Sequence, residues 1–380
     1  MSVSGGRRSV GLGLAAALLV VSTGPTAAAM SPGKADPLRR HVEAIHDTGV
    51  VGVAAEVTSP HTRDRARAGT ARRGATLPMP QNGRFRIGSA TKTFTAAVVL
   101  QLVGEGRLSL DDTVEQWLPG VVGKDGRRVT VRQLLQHTSG IPDVLPRIPA
   151  LNSVAGYRAE RSRSYTPREL VRLALRRSPA AAAEREWSYS NTNYVLAAMI
   201  IHRVTGRSWA QEVNRRIIRP LDLRETSVPD DSASVPGPHA RSYSAFGTGT
   251  AIDVTVLDPS MAVGSGSLVS TTRDLSRFHS ALLGGRLLGP AQLDEMTATV
   301  SAPEMGMPGV RYGLGLGELP LPCGGTYFGH PGELLGYRSW SGVTADGART
   351  AVVYATSDGG QGTRQAMSAL VGEELCRSRP

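Results

Sequence analysis

Apolar and polar positions follow strand-like patterns near both ends of the chain. The segments "VGVAAEVTS" at 51–59 and "GRFRIGS" at 83–89 show them early, and "YGLGLGEL", "GTYFGHPG" and "GYRSWSGVTADGARTAVVYATS" show them late. The last segment contains Asp346-Gly347, a dipeptide that favours two-residue hairpin turns. Strands joined by hairpins predict an antiparallel sheet.

The middle of the chain instead carries helix signals. Capping boxes begin at Thr130 and Thr166, and "TTRDLSRFHSALLGG" begins at Thr271 and ends at Gly284. The C-terminal "RQAMSALVGEELC" predicts a further helix. The sequence therefore places a block of helices between two groups of strands.

Together these patterns predict the fold class and the domain organisation. We expect an α/β fold of the α+β kind, with an antiparallel sheet built from both chain ends and flanked by helices. The sheet comes from about 38–90 and 310–380, and a mostly helical region at about 91–300 is inserted. We assign 30–380 to this one domain and 1–29 to a signal peptide.

The N-terminus has the composition of an export signal. Arg7 and Arg8 precede the short apolar run "GLGLAAALLVV", and three alanines precede Met30. No later apolar run is long enough to form a transmembrane anchor. We expect a secreted, extracellular protein, exported by a Sec-type or twin-arginine route.

The net charge of the chain limits the classes of partner that we expect. The net charge is +11, which favours attraction to an anionic cell wall. Nucleic acid is disfavoured because the arginines are scattered and no recognition motif occurs.

Cys323 and Cys376 are expected to form a disulfide in an oxidising compartment. The eight histidines show no metal-ligand spacing, so we expect neither a metal nor a cofactor.

Lysine is rare in this chain, and one lysine lies close to a serine in an apolar helix. Of 43 basic residues only three are lysines, and Lys92 follows Ser89 by three positions in "RFRIGSATKTFTAAVVLQLV". Positions i and i+3 share a helix face. A buried lysine can lose its proton, which arginine cannot, and a neutral amine activates a serine nucleophile. The alternative is a serine cap beside a lysine that extends to solvent.

Two further segments carry side chains suited to the same chemistry. "EWSYSNTNY" places Tyr189 and Asn191 before an apolar helix. The phenol can move a proton if a nearby lysine lowers its pKa. The amide can hold a substrate amide or the lysine, or it can act as a helix cap. "YFGHPGELLGY" places His330 and Gly332 on a late strand. That histidine can share a proton near neutrality or be an ordinary edge-strand residue, and the glycine allows close approach of a substrate.

These three elements, in this order and at these separations, resemble the penicillin-recognising serine hydrolases, which include DD-peptidases, class C β-lactamases and related esterases. Y-x-N and H-x-G stand here where other members of the superfamily carry S-D-N and K-T-G. Within the superfamily the chain most resembles secreted actinomycete-type D-alanyl-D-alanine carboxypeptidases. The segments "VTVRQLLQHTSGI", "GPHARSY", "STTRDLSRFHSALL" and "YGLGLG" extend the resemblance from about residue 40 to the end.

The resemblance implies catalytic roles for the matched residues. Ser89 is expected to be the acylated nucleophile, with Lys92 as its base or as the group that tunes Tyr189. Tyr189 is expected to be the general base and later the acid for the leaving group. Asn191 is expected to orient the substrate, and His330 to assist from the facing strand.

The resemblance also implies a substrate-binding strand, a disulfide and a structural histidine. Gly332 and Glu333 are expected at the substrate, with the backbone N–H groups of Ser89 and Glu333 forming the oxyanion hole. The two cysteines occupy the positions of the family's disulfide. His137, in the "QHTSG" segment, is interpreted as structural.

Three departures from the family pattern bear on the substrate. Pro331 stands where a hydroxyl residue commonly helps to bind the substrate's carboxylate, and Gly317 stands where an arginine is expected. Glu333 adds a carboxylate that would repel an anionic substrate end. These departures make a free carboxylate terminus a poorer substrate.

The expected function is an exported serine acyl hydrolase that forms an acyl-enzyme on Ser89. The first expectation is a D-alanyl-D-alanine carboxypeptidase acting on peptidoglycan-type peptides. The alternatives are an esterase, a D-amino-acid amidase or endopeptidase, or a weak β-lactamase. A non-enzymatic penicillin-binding wall module is the remaining possibility. The expected partners are a small peptide, ester or β-lactam substrate.

Overall fold

The computed structural model describes residues 36–176, 187–229, 232–247 and 249–377. Asp36–Pro380 forms one compact unit. The segment 1–29, interpreted above as a signal peptide, lies outside the described residues. In the part of the chain that is described, no helix is both long enough and apolar enough to cross a bilayer.

Strands from both chain ends build the central sheet. The strands are β1 Gly52–Thr58, β2 Arg63–Gly69, β3 Phe85–Arg86, β4 Tyr243–Ser244, β5 Ile252–Asp253, β6 Val269–Ser270, β7 Val300–Ser301, β8 Arg311–Tyr312, β9 Gly317–Pro320, β10 Thr326–Leu334, β11 Tyr337–Val343 and β12 Thr350–Ala355. Eight of them form one antiparallel sheet in the order β2-β1-β12-β11-β10-β9-β8-β7. The predicted fold class is therefore confirmed.

One predicted strand takes a different place. Of the segment 83–89 only β3 is extended, and it pairs with β6 in a separate two-stranded ladder. The chain turns at Gly88 toward a helix, which leaves too few extended residues to join the main sheet. The predicted hairpin is present, since Asp346 and Gly347 lie in the turn between β11 and β12.

Helices cover both faces of the sheet. They are α1 Pro37–His46, α2 Thr91–Gly104, α3 Val114–Trp117, α4 Val131–Gln136, α5 Pro149–Asn152, α6 Val154–Glu160, α7 Pro167–Leu175, α8 Asn191–Thr205, α9 Trp209–Val213, α10 Thr272–Leu283, α11 Pro290–Thr297 and α12 Gln361–Cys376. The caps at Thr130, Thr166 and Thr271 each accept a hydrogen bond from the backbone N–H three residues on, as predicted. Helices α1 and α12 pack on one face, and α10 packs on the other.

Helix α2 is apolar almost all round and is correspondingly buried. The Thr93 hydroxyl donates to the Gly315 carbonyl at 2.7 Å, and the Thr95 hydroxyl donates to the Gly264 carbonyl at 2.7 Å. These bonds satisfy polar groups in the core and hold the helix against two loops. The start of α2, which carries Lys92, is thereby fixed in the interior.

A disulfide joins Cys323, in the turn between β9 and β10, to Cys376, the last residue of α12. The Cα atoms of this pair are 5.9 Å apart. The bond therefore ties the C-terminal helix to the sheet, as the sequence predicted.

Candidate active site

Ser89 lies in the 3₁₀ turn Gly88–Ala90 that leads into α2. Gly88 has a φ of +53°, and a Cβ there would lie 2.6 Å from the Glu333 backbone nitrogen. Only glycine permits both this conformation and this approach. The turn therefore lies directly against β10, which brings the backbone of Ser89 beside that of Glu333. Their N–H groups as an oxyanion hole stay a prediction.

Gly332 serves the fold in a way that the sequence did not predict. A Cβ at this position would lie 2.0 Å from the Ile87 carbonyl oxygen. The missing side chain thus makes room for the chain just before Ser89. It sets the distance between β10 and the nucleophile's turn, and a role of Gly332 at the substrate stays a prediction.

The Lys92 amine is fully buried and has three partners. Its Nζ lies 3.1 Å from Ser89 Oγ, 2.6 Å from Asn191 Oδ1 and 2.9 Å from the Ser265 carbonyl oxygen. The amide and carbonyl oxygens can only accept, whereas a hydroxyl can donate or accept. A neutral amine has two N–H donors for these two oxygens and one lone pair left for the Ser89 hydroxyl. The geometry therefore fits a neutral amine that receives the serine proton.

Burial lowers the pKa of Lys92 to about 7, while the Asp143 carboxylate opposes this shift. The amine also lies over two aromatic rings, 4.8 Å from the Tyr189 centroid and 5.4 Å from the Tyr194 centroid. Ring faces favour the ammonium form and so limit the fall in pKa. An amine with a pKa near 7 can both accept and return a proton at neutral pH.

Asp143 is a site residue that the sequence analysis missed. Its carboxylate accepts from Asn191 Nδ2 at 3.1 and 3.0 Å and from the Asn191 backbone N–H at 3.0 Å. Because a carboxylate only accepts, it holds the amide with Nδ2 toward itself and Oδ1 toward Lys92. The only sequence signal was an acidic residue in the proline-rich loop after "HTSG".

Tyr189 lines the same cavity as Ser89, and Lys92 Nζ lies 4.8 Å from its ring centroid. Burial, however, raises the pKa of Tyr189 well above its usual value. The expectation that a nearby lysine lowers this pKa is therefore wrong. The phenol keeps its proton near neutrality and is suited to donate it, which leaves Lys92 as the group that accepts.

His137 supports the tyrosine, in agreement with its structural interpretation. Its ring centroid lies 4.3 Å from that of Tyr189, and its Nδ1 accepts the Ser190 N–H at 3.2 Å. The residue has a left-handed φ of 61° at the end of α4. Burial holds the pKa of His137 well below its usual value, so the ring is neutral. A neutral ring can accept at Nδ1 and so fix the backbone next to Tyr189.

His330 lies at the site but is not a proton carrier near neutrality. Burial, the Lys92 charge and His279 lower the pKa of His330 to about 3. Its Nε2 lies 2.9 Å from the Tyr312 hydroxyl, and its Nδ1 is hydrogen-bonded to the Pro331 carbonyl oxygen. A carbonyl only accepts, so Nδ1 carries the proton and Nε2 accepts from Tyr312. The expectation of a shared proton is corrected to that of a fixed, neutral imidazole.

The Glu333 carboxylate is not the isolated charge that the sequence suggested. Its Oε1 lies 2.8 Å from Arg338 Nη1 and 3.9 Å from Arg364 Nη1. These cations offset its repulsion of an anionic substrate. Gly317 pairs with Gly329 at the start of β9 and offers no side chain to a ligand.

A cavity of about 1060 Å³ opens from Ser89 toward α12 and is called the Ser89 groove below. Catalytic candidates at one end are Ser89, Tyr189, Asn191 and His330. The charged side chains along its described lining are Asp143, Glu304, Glu333, Glu373 and Arg364. The groove thus carries more carboxylates than cations, although the chain has a net charge of +11.

No group of three or more His, Cys, Asp or Glu side chains within the described ranges is arranged to hold a metal ion. The arrangement that is present is a serine hydroxyl in contact with a buried amine, with a phenol ring 4.8 Å from that amine. Such a set can activate the hydroxyl, accept its proton and protonate a leaving group.

Comparison with known proteins places this geometry in a family. The model of the Beta-lactamase family matches residues 38–375. Penicillin-binding protein 4* of Bacillus subtilis is 28% identical over 275 residues, which cover 68% of this chain but only 58% of that protein.

Solved structures match over nearly the whole domain. A D-stereospecific amidohydrolase from Streptomyces sp. has a TM-score of 0.80 and 41% identity, covering 87% of this chain and 97% of its own. The D-amino acid amidase from Ochrobactrum anthropi SV3, complexed with L-phenylalanine amide, has a TM-score of 0.78 and 28% identity, covering 88% and 96%.

Proposed function

This chain belongs to the beta-lactamase family of serine hydrolases, and from that premise we propose that it is an amidohydrolase acting on amides of D-amino acids. The observation that carries the proposal is the contact of Ser89 with the buried Lys92 amine, whose Nζ also lies 4.8 Å from the Tyr189 ring centroid. The D-alanyl-D-alanine carboxypeptidase is kept as the second candidate.

In the proposed reaction Ser89 is the nucleophile. Lys92 accepts the hydroxyl proton as Oγ attacks the amide carbon, and the backbone N–H groups of Ser89 and Glu333 stabilise the oxyanion. The C–N bond then breaks, Tyr189 protonates the leaving nitrogen, and Lys92 returns the proton that Tyr189 has given up. Water, activated by the same amine, hydrolyses the acyl-enzyme and releases the acid.

The electrostatics of the Ser89 groove favour an amide over a free acid. Of the four carboxylates that line it, Glu333 is paired with Arg338 and Arg364. Asp143, Glu304 and Glu373 remain to repel a substrate with a terminal carboxylate. Pro331, on the groove, offers no hydroxyl to such a carboxylate. An uncharged amide end avoids both penalties.

The similar structures support the same choice. The Streptomyces amidohydrolase shares 41% identity across nearly all of its length, and the Ochrobactrum protein is an amidase of D-amino acids. We therefore carry over D-stereospecific amide hydrolysis as this chain's proposed activity. The penicillin-binding relative, at 28% identity, supports the carboxypeptidase candidate.

The deciding experiment compares D-phenylalanine amide, L-phenylalanine amide and a D-Ala-D-Ala peptide with a free or an amidated terminus. We expect kcat/KM for the D-amide to exceed that for the L-amide at least tenfold, and amidation to make the peptide a better substrate. Ser89→Ala, shown to be folded, must lose all turnover. Faster hydrolysis of the free acid than of its amide would instead identify the carboxypeptidase.

We further propose that the protein is exported and acts outside the cell, near an anionic wall. The support is the basic and apolar N-terminal sequence together with the net charge of +11. Expression of the full chain should yield a secreted product whose N-terminus follows residue 29. An uncleaved, cell-retained product would contradict export.

A further inference from the structure

The Ser89 groove extends well beyond the catalytic residues. Tyr327 and Glu333 both line it from β10, and the six residue steps between them span about 20 Å. Gln361 and Glu373 both line it from α12, and the twelve helical steps between them span about 18 Å. Two independent elements therefore give the groove the same length.

The floor of the groove is one face of the sheet. Tyr327, Pro331 and Glu333 alternate along β10, so they share a face, and Trp340 pairs directly with Pro331 from β11. The Trp340 Nε1 donates to the Tyr327 hydroxyl at 3.1 Å. This bond satisfies the polar atoms of both rings, which line the groove although little of either ring is exposed.

The two walls of the groove differ in polarity away from Ser89. Helix α12 forms one wall, where Ala369 is exposed among the polar residues Gln361, Arg364, Gln365, Ser368 and Glu373. Met305, Met307 and Leu321 line the groove from the two loops on its other side. Apolar surface left open beside a nucleophile is suited to an apolar ligand, because covering it removes that surface from water.

The far end of the groove is fixed. A Cβ on Gly372 would lie 3.1 Å from Pro322 Cδ, so α12 packs closely on the turn after β9. The Cys323–Cys376 disulfide joins the same turn to the same helix. The distance between the walls is therefore set by covalent and packing contacts before any ligand binds.

The size of the groove exceeds the needs of one amino-acid amide. Its volume of about 1060 Å³ lies at the upper end of the usual range for small-molecule sites. An extended peptide advances about 3.3–3.6 Å per residue, so a span near 20 Å accommodates about five or six residues. A single amino-acid amide at Ser89 leaves most of the groove empty.

We propose that the groove binds the chain of a peptide of about five residues with apolar side chains, whose scissile amide lies at Ser89. This inference rests on the proposed function and gives its substrate class. A single D-amino-acid amide is then a minimal substrate, and the remote residues of a longer peptide add binding energy.

The test uses D-phenylalanine amides extended by zero to four leucines on either side, and a matched series extended by glutamates. Binding is measured with the folded Ser89→Ala variant, so it does not depend on turnover. We expect Kd to fall at least tenfold along one leucine series and to stay level along the glutamate series. For the wild-type enzyme kcat/KM should rise in parallel.

Two variants test whether the Ser89 groove causes the dependence of affinity on peptide length. Ala369→Trp puts a large ring into the groove and should reduce the ratio of affinities for long and short peptides to about one. Ala44→Trp makes the same change at an exposed position of α1 and should leave that ratio intact. Length-independent Kd values, or a length dependence that survives Ala369→Trp, would overturn the inference. Failure of all amide turnover alongside length-dependent binding would overturn only the proposed function.

Discussion

At the scale of single residues, the site depends on the Lys92 amine, which lies in the interior although burial disfavours its charged form. Lys92 is fully buried, and no carboxylate lies within ion-pair distance of it among the described residues. Burial penalises its charged form, which is why its pKa falls to about 7. The chain thus keeps an unfavourable group at the position where its proton affinity is useful.

Replacing Lys92 with Met should therefore raise stability and abolish acylation. Below pH 7 Lys92 is charged in both the folded and the unfolded state, so the folded state bears the whole free-energy cost of burying an ammonium group. Above the unfolded pKa of 10.5 the amine is neutral in both states, and this cost is absent. After the loss of hydrogen bonds to Asn191 and Ser265, we expect a gain of about 3 kcal/mol at pH 7. Urea unfolding measures it, and a less stable variant would contradict the prediction.

Lys92→Arg is the matched chemical test of the same residue. Arginine keeps the charge but cannot accept the Ser89 proton at neutral pH. Acylation by a fluorescent penicillin, followed by intact mass, should be lost in folded protein. Rapid acylation of this variant would exclude Lys92 as the base.

Asp143 should set the pH at which the enzyme becomes active. Its negative charge raises the pKa of Lys92, so Asp143→Asn lowers that pKa. The rise of kcat/KM with pH, which follows loss of the lysine proton, should move to lower pH by about one unit. The plateau should also fall, because Asn191 loses its carboxylate partner. An unchanged midpoint would show that another group controls the profile.

At the scale of elements, α12 is held by its disulfide as well as by packing. The bond closes a loop with a sequence separation of 53 residues. Constraining an unfolded chain over that loop contributes about 4 kcal/mol by the chain-entropy estimate. The Cys323→Ser/Cys376→Ser variant should unfold at correspondingly lower urea concentration, and a reducing agent should destabilise only the wild type. Equal stability of the two proteins would contradict this account.

At the scale of the whole molecule, buried neutral histidines make the fold sensitive to acid. Burial lowers the pKa of His279 to about 4 and that of His330 to about 3, from an ordinary histidine value of 6.5. The contribution of these neutral rings to folding stability is fully present above pH 6.5. It is lost as pH falls toward their pKa values in the folded state. As pH falls from 6 to 4, protonation of these two rings in the unfolded state should lower the free energy of unfolding by about 3 kcal/mol per pH unit.

Unfolding free energies measured at intervals between pH 7 and 4 test this slope. His279→Gln removes one of the three buried neutral rings, which are His137, His279 and His330, and should make the slope shallower. His61→Gln, at an exposed position, should leave it unchanged. A slope that His279→Gln does not alter would assign acid sensitivity to other groups.

The fold was largely predictable because its signals are local. Strand alternation, the Asp346-Gly347 turn and the threonine caps each depend on neighbours in sequence, and each appears in the structure. The short β3 was misplaced because its pairing with β6 joins residues 85–86 to 269–270, a contact that no local pattern encodes.

The sequence by itself determined the chemical inventory: a serine and an amine one helical turn apart, a Y-x-N and an H-x-G segment, and two cysteines. Only the tertiary structure decided how these groups are charged and oriented. Burial depends on contacts between distant segments, so the lowered pKa of Lys92 and His330 and the raised pKa of Tyr189 follow from the folded core. The same holds for Asp143, which reaches Asn191 across 48 residues of chain.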